Sequence, residues 1–126
     1  MKILNLILFC GIFFIPLKMY SQSNCNMSVT YSEMAFEKFK NAYKSDNLDN
    51  AKIFIKKGVE DAEQASAYAL ICDCPLAKNY ALNAVTFGIK AGKADNLDDA
   101  KKQSKKAMDM SLDVMTATPN CNQDKK

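Results

Sequence analysis

Four of the five cysteines, two runs of carboxylates and a block of lysines are the residues in this chain whose types and spacing suggest chemistry. Cys72 and Cys74 stand one residue apart in the stretch Leu70 to Lys78, with Cys25 and Cys121 far to either side. A reactive dithiol favours Cys-x-x-Cys at a helix start in a strand-helix pattern, which is absent here. A zinc site of four thiolates needs the two distant cysteines as well, and it competes with oxidation in an exported protein. Glu60, Asp61 and Glu63, and again Asp109 and Asp113, lack the Glu-x-x-His spacing of a di-metal bundle, since the chain has 0 histidines. They read as solvated faces, so no catalytic residue, metal ligand or cofactor site is expected, and the chain reads as non-enzymatic.

The charged residues bound the partner class. Lys101, Lys102, Lys105 and Lys106 form a positive face, echoed by Lys52, Lys56 and Lys57. Solubility explains such a face, and docking to an acidic partner or membrane surface is its sharper reading. Every one of the 17 basic residues is lysine. Without arginine the bidentate fork that reads phosphates and base edges is missing, which argues against nucleic acid.

The amino terminus sets the compartment. Met1-Lys2 is followed by an apolar run, Ile3 to Leu17, broken only by Asn5, and Ser21 gives a small residue before Gln22. This reads as a secretory signal peptide over 1–21. The run of about 15 residues falls short of the roughly 20 that span a membrane, and Pro16 and Lys18 interrupt it. Cys10 follows Phe9 where bacterial lipidation wants a small residue, so it goes with the leader. Residues 22–126 then form a single domain of 105 residues with 15 lysines against 14 acidic side chains, a net charge of +1. The expectation is an exported protein, periplasmic or secreted, with no stable membrane insertion after leader removal.

Export makes disulfides the default fate of Cys25, Cys72, Cys74 and Cys121, and an internal repeat selects the pairing. Lys44 to Gly58 aligns without gaps on Lys93 to Ala107 at an offset of 49, and the same offset carries Cys25 onto Cys74 and Cys72 onto Cys121. The domain is two units, 25–72 and 74–121, each opened and closed by a cysteine and joined through Asp73. Within a unit, two antiparallel helices bring both ends together, so the local pairs Cys25–Cys72 and Cys74–Cys121 respect the duplication.

The elements follow from punctuation. Thr30 and Glu33 match a capping box for a first helix reaching Tyr43, with Tyr31, Ala35, Phe39 and Ala42 inward and Met34 alongside. Asp46 is the expected cap of a second helix of about 22 residues with Leu48, Ala51, Ile55, Val59, Ala62, Ser66 and Ala69 inward. Pro75 opens the third helix, with Leu76, Tyr80, Ala84, Phe87 and Ala91 inward, and Gly92 suits a left-handed residue beyond its end. Asp95 is expected to cap the fourth, which carries Leu97, Ala100, Ser104, Ala107, Met108, Ser111 and Met115 inward until Pro119. The fold class is therefore all-α: two tandem disulfide-closed αα-hairpins forming a four-helix bundle or a short helical repeat.

The copies differ where Ile53-Phe54-Ile55 stands opposite Lys102-Gln103-Ser104. Ile53 and Phe54 lie off the main stripe, either packed on the neighbouring hairpin or exposed as a partner surface, and Phe36 and Tyr43 raise the same question. Ala84, Phe87, Gly88, Ala91, Leu97, Ala100, Ser104 and Ala107 have the relative spacing of a tetratricopeptide hairpin, as do Ala35, Phe39, Ala42, Ala51, Ile55 and Gly58. The chain resembles secreted, disulfide-bridged helical-hairpin repeats of that kind. It departs from the family in its period of 49 and in having Ala35 and Ala84 where a large aromatic is usual. The resemblance implies protein binding without catalysis. The expected function is a protein-binding module, as an inhibitor or immunity-type protein would be. The alternative is a carrier holding a small apolar ligand among Met34, Phe39, Tyr80, Phe87, Met108 and Met115.

Overall fold

The computed structural model describes residues 25–122, so the leader expected at 1–21 lies outside the described residues. Four helices make up the described residues: α1 (Asn26–Tyr43), α2 (Leu48–Ile71), α3 (Pro75–Gly92) and α4 (Leu97–Ala117), followed by a 3₁₀ turn, Thr118–Asn122. No strand occurs among the described residues. Each helix packs on the next, and α4 packs back on α1, so the two hairpins close into an up-down-up-down four-helix bundle. Two disulfides, Cys25–Cys72 and Cys74–Cys121, span the base of each hairpin with Cα atoms 5.4 and 5.5 Å apart.

Burial repeats with the sequence offset of 49. Cys25 and Cys74, Ala35 and Ala84, Phe39 and Gly88, Ala42 and Ala91, Ala51 and Ala100, Ile55 and Ser104, Gly58 and Ala107, and Ala65 and Val114 are all buried pairs. Nearly every inward position is Ala, Ser, Gly or Cys, which lets the helix axes approach closely. Phe39, Ile55 and Val114 are the largest side chains that are fully buried. Ser28 ties α1 to α2 by donating its hydroxyl to the Ala65 carbonyl over 3.0 Å. Tyr31 and Tyr68 stack across the same pair of helices, ring centroids 5.5 Å apart.

Several local expectations are corrected. α1 begins a turn before the Thr30–Glu33 box, at Asn26, because the Cys25–Cys72 bridge anchors its start; Thr30 Oγ1 instead donates to the Asn26 carbonyl inside the helix. Asn47 and Asn96, not Asp46 and Asp95, cap α2 and α4, with their side-chain oxygens accepting the Asn50 and Asp99 amides at 2.8 Å. The extended backbone of both asparagines sets this choice, since a cap leaves the chain in the β region just before the first turn. Gly92 is the last residue of α3, and Lys93 ends that helix in a right-handed conformation. The left-handed residue is Asp73, φ 57°, which reverses the chain between the two bridges.

Most of the expected inward positions are buried, but the larger side chains among them stand beside the axis: Tyr31, Leu48, Val59, Leu97, Met108 and Met115 are only half-buried. In α3 the inward residues are Ala77, Ala81, Ala84, Gly88 and Ala91, while Tyr80 and Phe87 flank the core half-buried and Leu76 is exposed. In α2, Gly58 and Ala65 face inward and Val59 and Ser66 stand at the flank. The small residues take the axis and the large ones roof the seams beside it.

Candidate functional site

The sulfurs are committed to structure. Cys25, Cys72 and Cys74 are buried and Cys121 is half-buried, and all four belong to one cluster at the base with Ala65, Ala69, Ala77, Ala81 and Val114. No group of three or more Cys, Asp or Glu side chains is arranged to hold a metal ion among the described residues. Asp109 pairs with Lys105 at 2.7 Å along its own helix. Asp61 sits half-buried, where loss of solvent raises its pKa above the ordinary carboxylate value; Lys38 pulls it down and Glu60 adds to the rise.

The lysine face is divided among neighbours. Lys101 Nζ lies over the Tyr43 ring at 5.8 Å, Lys106 lies over Phe87 at 5.5 Å, and Lys105 is held by Asp109. Lys102 is exposed. Ile53 and Phe54 also part company: Ile53 is 55% exposed, while Phe54 packs half-buried on the cluster of Ala42, Ala51, Ile55, Ala91 and Ala100. The six residues read as a ligand interior are scattered. Phe39 fills the centre, Phe87 and Met108 border the same cluster, Tyr80 belongs to the base, Met115 is half-buried and Met34 is exposed.

The structure assembles a site that sequence reasoning left in pieces. A groove of about 390 Å³ runs along the seam between α2 and α3, lined by Lys52, Ile55, Lys56, Val59, Glu60 and Glu63 on α2 and by Gly88, Ile89 and Gly92 on α3. A smaller hollow of about 50 Å³ lies at the foot of the same two helices, among Leu70, Asp73, Pro75 and Lys78. Exposed aliphatic residues flank this face: Ile89 at 43%, Leu82 at 45% and Leu70 at 63%. Leu82, Val85, Ile89 and Gly92 follow helical spacing along one side of α3.

The duplication supplies an internal control, since the seam between α4 and α1 is the repeat-equivalent of this one. There Phe39 stands for Gly88, Lys40 for Ile89, Tyr43 for Gly92 and Phe36 for Val85. Lys101 covers Tyr43, and Lys40 lies 6.0 Å from the Phe36 ring centre. The α4/α1 seam thus carries aromatic rings and lysines at positions where the α2/α3 seam has glycines and aliphatic side chains. The i, i+4 spacing of Gly88 and Gly92, read against Phe39 and Tyr43 at the offset of 49, is the sequence signal for the groove.

Compared with family models, with curated proteins and with solved structures, the chain matches none. The two disulfides are compatible with an exported protein, and no helix among the described residues is long and apolar enough to cross a membrane.

Proposed function

We propose that this chain is a small exported, non-enzymatic module that binds a protein partner through the α2/α3 seam. One observation carries the reading: this seam forms a groove with Gly88 and Gly92 in its lining and exposed aliphatic side chains beside it, where the repeat-equivalent positions of the other seam are Phe39, Tyr43 and Lys40. Glycine inside a helix costs roughly 1 kcal/mol relative to alanine, so Gly88 needs a reason. Gly88 has one in the core, where an added Cβ would meet Val59 and Phe39 at 2.6 and 2.9 Å. Gly92 has none of that crowding, since its nearest neighbour would be Ile55 at 3.6 Å. At the equivalent position the other seam carries the Tyr43 ring, so the small size of Gly92 leaves this end of the groove uncovered.

Photo-crosslinking tests this. With the photoreactive residue placed at Ile89 in the producing cell, a discrete protein adduct is expected; at Lys40, its repeat-equivalent, none is. Equal labelling at both positions, or none at Ile89, refutes the reading. The groove volume also lies within the range of small-molecule sites, about 300–1,000 Å³, which favours a second reading as a carrier of a small apolar ligand in this groove. Native mass spectrometry of freshly isolated protein separates the two: a bound mass of a few hundred daltons, lost on Gly92→Phe substitution, supports the carrier.

A further inference from the structure

The charges on the rim of the groove are ordered along α2: Lys52 and Lys56 come first, then Glu60 and Glu63. They span about 16 Å of helix, at a rise of about 1.5 Å per residue. Such a sequence is complementary to itself in one orientation only. Laid antiparallel about a two-fold axis crossing at the level of Lys57 and Gly58, each α2 sets Lys52 against Glu63 of the other copy and Lys56 against Glu60. Laid parallel, it sets like charge on like.

We propose that the α2/α3 seam is the face through which two copies of this chain associate as an antiparallel two-fold dimer, Lys52 and Lys56 of each facing Glu63 and Glu60 of the other. The proposal rests on the reading of the seam as a protein-binding face and names the partner as a second copy. Three observations favour that occupant. Among the described residues no ion pair joins these lysines to these glutamates within the chain, so the four charges are available across an interface. The pattern is missing from the α4/α1 seam, where Lys101 is engaged with Tyr43, Lys105 with Asp109, and Leu112 stands for Glu63. The middle of the face is apolar, with Val59, Ile89 and the glycine floor inside the charged rim and Ile53 one turn before Lys56 and Lys57. An apolar centre with a polar edge is the anatomy of a specific protein interface, and a two-fold operator requires that one patch fit itself.

The test is a charge exchange on the full disulfide-bonded chain, read by sedimentation equilibrium. The native protein is expected to show twice the chain mass in a concentration-dependent manner. Lys52→Glu with Lys56→Glu makes the rim wholly acidic, and Glu60→Lys with Glu63→Lys makes it wholly basic. Each pair of substitutions weakens self-association by at least about tenfold, because like charges then oppose one another. Mixed in equal amounts, the acidic and basic variants restore the dimer as a heterodimer, and salt weakens both forms. All four positions lie at the surface and outside the core, and circular dichroism with a non-reducing mass measurement checks that each variant keeps its helices and both bridges. A native chain that stays monomeric to millimolar concentration overturns the proposal, as does a dimer indifferent to the exchanges. Monomeric protein that still crosslinks a different protein from Ile89 refutes the dimer and leaves the protein-binding reading standing.

Discussion

Phe39 is the one large ring at the centre of a core otherwise built from small side chains, and the backbone is shaped around it. A Cβ at Gly58 would fall 2.7 Å from its Cε1 and 2.9 Å from its Cδ1, so the glycine is required by the ring. Repeat symmetry would set a second phenylalanine at position 88, where a Cβ would already fall 2.9 Å from the Phe39 ring and there is no room for both rings; Gly88 is the complement of Phe39. Removing the ring by Phe39→Ala is expected to cost about 3–5 kcal/mol by urea unfolding. Gly58→Ala gains about 1 kcal/mol of helix propensity but overpacks the ring by about 1–3 kcal/mol, a net loss. In the double variant the new methyl enters space the ring has left, so it should be no less stable than Phe39→Ala alone; strictly additive losses would refute this packing. Asp61 makes a second prediction at this scale. Its carboxyl is raised in the fold chiefly by desolvation, so the fold favours its protonated form. That contribution is fully present below the ordinary value of 3.8 and is lost as pH rises through the folded value. Asp61→Asn should therefore unfold at higher urea than the native chain at pH 7, with the gap closing as pH falls into the carboxylate range.

At the level of the helices, the ends are set by backbone geometry more than by the identity of the nearest acidic residue. Asp46 and Asn47 are both good capping residues, and only the extended φ and ψ of Asn47 decide between them. Asn47→Ala should lower stability by about 1 kcal/mol, while Asp46→Ala stays within about 0.5 kcal/mol; thermal unfolding of the two variants checks the assignment. The same limit governs what could be read from the sequence. The offset of 49 made four helices and the Cys25–Cys72 and Cys74–Cys121 pairing legible, because cysteines, prolines and turn residues recur in register. Positions such as Ala35, Phe39, Ala51, Ile55, Ala84 and Ala100 are buried as expected, but Tyr80 and Phe87 stand half-buried one residue from Ala81 and Gly88, which take the axis. Hydrophobicity draws large side chains inward, but close helix packing reserves the axis for small ones. The groove is less legible for a related reason: it depends on the side chain that Gly92 lacks, and the comparison with Tyr43 at the offset of 49 is what exposes it.

For the molecule as a whole, closure of the ring by α4 on α1 means that each hairpin covers the other's apolar face. Neither half has a core of its own, since the central cluster joins Ala35 and Phe39 of α1, Ala62 of α2, Ala84 of α3 and Ala107 of α4. Both hairpins should therefore unfold in one transition even though each has its own covalent clamp. Each bridge closes a loop with a sequence separation of 47. In the chain-entropy view a loop of that length contributes about 4 kcal/mol, against the 5–15 kcal/mol typical of whole domains. A core dominated by alanine buries little area per residue, so the bridges carry an unusual share of the stability. Replacing Cys25 and Cys72 by serine should lower the unfolding free energy by about 4 kcal/mol, and Cys74 with Cys121 should do the same. Either variant should keep a single cooperative transition, because the surviving clamp holds a hairpin whose apolar face is covered only while the other is folded. Loss of both bridges should leave the chain largely unfolded at 37 °C. Two separated transitions in a singly bridged variant, followed by circular dichroism in urea, would show instead that the hairpins are independent and that the central cluster does not couple them.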